Sequence, residues 1–504
     1  MNLGPYAIEQ DYSHYVAYAS DVIFAVVGTA SKGPIGVPTV CTSPRDLTNK
    51  FGPVKLGYHA LYAGQYFLNQ ASKMFFVRAS AHGEDKVPTA TKGTVTLVGT
   101  NTSGDVASAV VLNTKELGTY LNGYSVTIVS SKDIDEKPIT LLNLLSPTGL
   151  TVEQLIVDIT KMTVGDTLGS NYFEVASINS TATALKATDT PYIVANGSDG
   201  VDGITDADYV AAANELKSDI YDMNVFAVPG ISSANVITSM LSLAEQRGDC
   251  VFLVDPPATV KTPTEVEAWH NGRGAYSDHT KFNSSFGVLY FSWQRIYDSI
   301  NKTYVSVPPS VVLGPVMAKS ARESEIWFPI AGVRRGLVSG VYAPEYSPDT
   351  AERDSLYSGD NCVNCIIEDP VSGLVVFGQK TLYRENTALN RLNVRMLLNY
   401  LKRIVTAACR YLTFEPNDRT TWNNFEDLVE PTLRSIGERR GLYDYKIVKG
   451  EAIVTDDDID NYRMPCKILI KPTKAAEEIP IYFTITSTGA DFNEVLESEG
   501  IIEI

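Results

Sequence analysis

The pattern that most restricts the fold lies in residues 389–504, where a helical block with a basic side gives way to acidic, strand-like runs and then to a tail. Leu389, Leu392, Met396, Tyr400, Ile404, Ala408 and Tyr411 recur at three- and four-residue steps, which puts them on one side of a helix. At about 100° per residue, Arg391, Arg395 and Lys402 fall on the opposite side. Pro416 disfavours helical backbone at Glu415, so the helix is expected to stop within 414–418. A second amphipathic pattern runs through Trp422, Phe425, Val429, Leu433 and Ile436, and Pro431 is expected to kink or split it. Gly441, directly after the cations Arg439 and Arg440, fits a helix end. Residues 445–448, 466–470 and 479–485 then alternate as strands. A domain that closes on a strand without a neighbour leaves its pairing to another chain. That points to a subunit of an assembly more than to a free enzyme.

Upstream, the chain alternates between strand and helix. Residues 224–228 and 249–254 are short apolar strand runs, and the stretch 232–246 between them carries Val236, Met240, Leu243 and Ala244 on one helical side. Together they form a βαβ-like unit, and 287–291 offers a further buried strand. Residues 91–199 differ: they are rich in Thr, Ser and Gly and broken into short alternating runs such as 94–98, 109–112 and 125–129. This reads as a β-rich insertion, with 196–203 marking the return to the α/β part. A 504-residue chain exceeds one core, so several domains are expected.

Charge and motif content exclude most chemistries. The net charge is −17, which argues against wholesale nucleic-acid binding, since phosphate contacts need clustered Lys and Arg. No apolar run reaches about 18 residues, so no membrane insertion is expected. The opening Met-Asn-Leu-Gly-Pro lacks a basic stretch followed by an apolar one, so synthesis in a cytoplasm is expected. The five histidines (His14, His59, His82, His270 and His279) are scattered. Cys362-x-x-Cys365 has no second Cys or His pair near it and reads as two reduced thiols in a turn. The run Asp456-Asp457-Asp458-Ile459-Asp460 starts like a calcium loop, but Asn461 and Lys467 occupy the positions that need Gly and Glu. No G-x-G-x-x-G follows a strand, and no P-loop, G-x-S-x-G or H-E-x-x-H occurs. The reading is therefore no catalytic residue, no metal and no cofactor. The charge distribution says more: 378–450 holds 13 Lys+Arg against 8 Asp+Glu, whereas 451–504 holds 4 against 12.

Several motifs resemble one family. Leu374-Val-Val-Phe-Gly-Gln-Lys-Thr-Leu382, Asn393-Val-Arg395, Phe414-Glu-Pro-Asn-Asp418 and Ile479-Pro-Ile-Tyr-Phe483 are similar to the C-terminal domain of contractile tail sheath proteins, found in contractile-tailed phages and related injection particles. Val26-Val-Gly-Thr-Ala-Ser-Lys-Gly-Pro34 with Phe51-Gly52, and Val307-Pro-Pro-Ser310 followed by Trp327-Phe-Pro-Ile-Ala-Gly332, extend the resemblance upstream, in the family's order. It covers 5–80 and 205–485, and 90–200 matches nothing recognisable.

The resemblance implies a multidomain chain of α/β and α+β type. Its expected parts are an N-terminal arm (1–20), a central α/β domain (21–90 and 200–377), an inserted β-rich outer domain (91–199), a C-terminal α+β domain (378–487) and a C-terminal arm (488–504). It implies a structural subunit that polymerises as a helical sleeve around an inner tail tube and contracts to drive that tube through an envelope. The implied partners are itself, the inner tube protein, and baseplate and tail terminator proteins, in a virion tail assembled in the host cytoplasm. Arg391, Arg395 and Lys402 become candidates for the tube contact. Tyr6, Ile8 and Tyr15 in one arm, and Phe492, Val495, Leu496, Ile501 and Ile502 in the other, become candidates for strand exchange between subunits. A non-contractile virion or baseplate adaptor, and less readily a hydrolase, are the alternatives.

Overall fold

The computed structural model describes residues 21–132, 135–188, 190–359 and 361–480. The arm residues Tyr6, Ile8, Tyr15, Phe492, Val495, Leu496, Ile501 and Ile502 lie outside the described residues, as does most of the strand expected at 479–485.

The centre is an eight-stranded sheet. Its order across the sheet is Gly373–Phe377, Val363–Asp369, Gly287–Phe291, Val251–Val254, Val225–Ala227, Phe24–Gly28, Met74–Arg78 and Thr39–Cys41. The inner strands run parallel, and the two outermost pair antiparallel with their neighbours. Inner strands such as Phe24–Gly28 and Val251–Val254 are buried at every position, as a sheet covered on both faces requires. Alternate residues feed two cores: Phe24 and Val26 pack on one side, Ala25 and Val27 on the other. The expected unit at 224–254 appears as strand Val225–Ala227, helix Ala234–Arg247 and the parallel strand Val251–Val254.

Helices His59–Leu68 and Pro309–Glu323 cover the first face, and Leu392–Cys409 and Arg419–Glu438 join the same core. Leu392, Met396, Leu397, Tyr400 and Leu401 are buried there, each side chain contributing about 1.5–3 kcal/mol. Pro431 neither splits nor ends its helix: Arg419–Glu438 is a single 20-residue element with the proline inside it. The reason is the pattern around it, since Phe425, Val429, Leu433 and Ile436 bury one continuous stripe across the proline. Cys365 is also not in a turn. It sits within the strand Val363–Asp369, where burial pushes its thiol up to about 12.

Residues 92–193 form two four-stranded sheets, each closed by a two-residue strand, around a separate core that includes Leu97, Leu112, Ile128, Leu142 and Phe173. Their base is pinned to the central sheet by Arg78, the last residue of strand Met74–Arg78 and fully buried. Its Nη1 donates to the carbonyls of Gly33 and Leu117, both at 2.8 Å, and its Nη2 to that of Asp199 at 3.1 Å. The Asp199 carboxylate accepts from Lys55 Nζ, Tyr58 OH and the Thr119 backbone and hydroxyl. Burial works to raise this carboxyl, but those hydrogen bonds hold it below its ordinary range.

Candidate assembly surfaces

In an open, mostly parallel sheet the crevice beyond the carboxyl ends of the strands is where ligands bind. Here the chain's own side chains fill it. Asp255 follows strand Val251–Val254 and accepts from the Ser310 backbone N–H (2.9 Å), the Ser310 hydroxyl (2.6 Å) and the Gly230 N–H (3.1 Å). It thereby satisfies a donor at the first turn of helix Pro309–Glu323. Burial without a cation raises its carboxyl to about 6, even against those donors. His59 lies beside it, edge-on to Trp293 with ring centroids 5.3 Å apart and close against Gly230, and burial lowers it to about 4. The arrangement ties strands to helices; Ser310 is fully buried.

Of the three cations expected to face outward, Lys402 is exposed, Arg391 is half-buried and Arg395 is buried. Arg395 is only 4% exposed. Its guanidinium stacks 4.1 Å over the Phe286 ring, its Nη2 donates to Ser285 Oγ at 2.5 Å, and burial pushes it down to about 10. Lys402 lies over the same ring and donates to the Gly248 carbonyl at 3.4 Å. Arg391 precedes the helix, half-buried over the Tyr357 ring. The side opposite the apolar face meets the loops that lead into the central strands. Asn399 donates to Cys250 O, and Arg403 donates to Met223 O and pairs with Asp222 at 2.7 Å. Cationic side chains satisfying loop carbonyls give the same sequence pattern as cations awaiting a partner.

Two arginine doublets also reach the surface of this region. Arg334-Arg335 belongs to the loop after helix Pro309–Glu323, and Arg439-Arg440 ends helix Arg419–Glu438. Trp327 Nε1 donates to Arg439 O at 3.4 Å, and a Cβ on Gly441 would come within 2.9 Å of the same nitrogen, so loop and turn form one surface. The adjacent arginine pairs were visible in the sequence; their juxtaposition across about a hundred residues was not.

The turn leads directly into strand Leu442–Val448, which pairs antiparallel with Lys467–Pro472. This two-stranded sheet packs on helix Arg419–Glu438, with Tyr445 OH donating to Glu430 at 3.2 Å. Exposure alternates along Lys467–Pro472, and Tyr443 (68%) and Leu469 (46%) remain in solvent. Among the described residues each strand pairs only with the other, leaving an open edge on both. The acidic run 456–460 forms a short helix capped by Thr455, with Arg463 against Asp457 and Asp458. Among the described residues no cluster of three or more His, Cys, Asp or Glu side chains is arranged to hold a metal ion. No described helix is long and apolar enough to cross a membrane.

Residues 384–488, which contain this helix pair and its two-stranded sheet, match the model of the phage tail sheath C-terminal domain. The chain is also 28% identical over 346 residues to the tail sheath protein of Vibrio phage KVP40, covering 64% of this chain and 51% of the relative. The chain is similar to tail sheath proteins, and residues 384–488 carry the match to that family's C-terminal domain. It spans about half the length of the curated sheath proteins it matches. The crystal structure of a sheath tail protein from Desulfitobacterium hafniense shares the fold, with a TM-score of 0.61, 13% identity, and 88% of this chain and 93% of that one covered. The sheath complex of an extracellular contractile injection system, PVC, in its contracted state aligns over 98% of this chain and 99% of that one, with a TM-score of 0.58 and 14% identity. Both confirm the mixed α/β, multi-sheet architecture of a sheath protein.

Proposed function

We propose that this chain is a structural subunit of a contractile tail sheath. It polymerises as a helical sleeve around an inner tail tube and contracts to drive the tube through a target envelope, with no enzymatic step. One observation carries this reading: the region matched to the sheath C-terminal domain presents a two-stranded sheet, Leu442–Val448 with Lys467–Pro472, whose outer edges are open among the described residues. An open edge binds an added strand through backbone hydrogen bonds, and alternate side chains fix its register. In this proposal the arms 1–20 and 488–504 supply strands to neighbouring subunits, through Tyr6, Ile8 and Tyr15 and through Phe492, Val495, Leu496, Ile501 and Ile502. The 378–487 region forms the joined inner mesh, the central part 21–90 and 200–377 swings outward on it, and the 91–199 insertion faces outside.

Contraction is then a one-way repacking from a metastable extended lattice to a more stable short one, and needs no nucleotide. The partners are further copies, the inner tube, the baseplate and the tail terminator, in a virion tail assembled in the host cytoplasm. Electron microscopy of the purified chain with and without an inner tube protein tests this. Hollow sleeves of fixed width are expected; a homogeneous monomer under all assembly conditions would refute it.

A further inference from the structure

Among the described residues, the surface made by the 327–336 loop and the 439–441 turn carries positive charge without a matching carboxylate for each arginine. Arg439 is accounted for: it pairs with Glu325 at 3.0 Å and stacks over Trp327. Arg335 is fixed by donating Nε to the Pro329 carbonyl at 2.9 Å and by packing over the Phe328 ring. Arg334 and Arg440 are exposed, and neither has an ion-pair partner among the described residues. Burial first, then the charges of Arg334 and Arg440, hold Arg335 below its ordinary value, so the three guanidiniums repel one another. Such a cluster is stabilised by carboxylates that can bridge its forks.

We propose that Arg334, Arg335 and Arg440 form a docking surface for an acidic strand, residues 481–504 of a second copy, as that strand adds to the edge beginning at Leu442. Two observations select this occupant. Residues 481–504 contain Asp491, Glu494, Glu497, Glu499 and Glu503 and no Lys or Arg. Arg440 stands two residues before strand Leu442–Val448, so a strand laid along that edge ends beside the cluster. Backbone pairing is sequence-tolerant, and opposite charge at one end fixes direction and register and speeds encounter. The proposal rests on the strand-exchange reading above and adds the element that orients the exchange.

The test uses full-length protein assembled without tube, followed by pelleting and electron microscopy. The variant R334E/R440E changes two exposed side chains that have no ion-pair partner among the described residues. It is expected to melt like the wild type, to remain monomeric, and to lose sleeve formation. Adding E494K, E497K and E499K to the same chain is expected to restore sleeves, with the salt dependence of the wild type. Normal assembly of R334E/R440E, while a chain ending at residue 480 fails to assemble, would overturn the docking surface and leave strand exchange standing. A charge-swapped chain that stays folded but monomeric would overturn the pairing with 481–504. A defect that appears only when inner tube protein is added would overturn it by giving the patch to the tube.

Discussion

Two groups at the carboxyl ends of the central strands, the buried Asp255 and the half-buried His59, carry opposite pH dependences. Asp255 titrates at about 6 in the folded chain, above its ordinary 3.8. Between these values the native state keeps a proton that the unfolded chain has lost, so raising pH through this window removes stability. His59 titrates at about 4, below its ordinary 6.5, so lowering pH from 6.5 toward 4 removes stability. Each effect is worth about 3 kcal/mol, and the windows overlap, so they offset each other. D255N is expected to make the melting temperature fall steeply from pH 6.5 to 4, and H59Q to make it fall from pH 4 to 6. D255N also costs about 1–3 kcal/mol at neutral pH, because an amide nitrogen would face the Gly230 or Ser310 donors. A flat pH profile in either variant would contradict these assignments. Individual residues were the least legible feature of the sequence. Arg395 and Ser285 meet across 110 positions, and periodicity within one helix cannot reveal what lies against its polar side.

The elements were far easier to read, because a helix or buried strand writes its period into contiguous residues. The apolar steps from Leu389 to Tyr411 foretold Leu392–Cys409, and the apolar runs at 224–228 and 287–291 foretold inner strands of the sheet. Tertiary packing outweighed the local rule in one respect at Pro431, which does not split its helix, although its missing N–H leaves one carbonyl of the preceding turn without its helical donor. Residue 431 is exposed, so P431A removes no packing and is expected to stabilise the chain by about 1–3 kcal/mol, read as a higher urea midpoint. Unchanged or lower stability would mean that the proline's fixed φ compensates for the lost bond. The strands Leu442–Val448 and Lys467–Pro472 were legible as alternating runs, whereas the clustering of Arg334, Arg335 and Arg440 was not.

At the scale of the whole molecule, the family motifs were visible in order along the chain, and the match to the sheath C-terminal domain falls on the region that carries the open edges. The same view separates folding from assembly. Among the described residues, the central sheet, both of its cores and the two-stranded sheet are built from residues up to Pro472. Deleting 488–504 is therefore expected to leave the melting temperature of the monomer unchanged while abolishing sleeves; truncated chains that still polymerise normally would exclude the arm. The most direct measurement is a high-resolution map of the assembled sleeve. The account predicts a strand from 481–504 of one subunit hydrogen-bonded along the Leu442–Val448, Lys467–Pro472 sheet of the next; a map in which both terminal segments fold back onto their own subunit would contradict it.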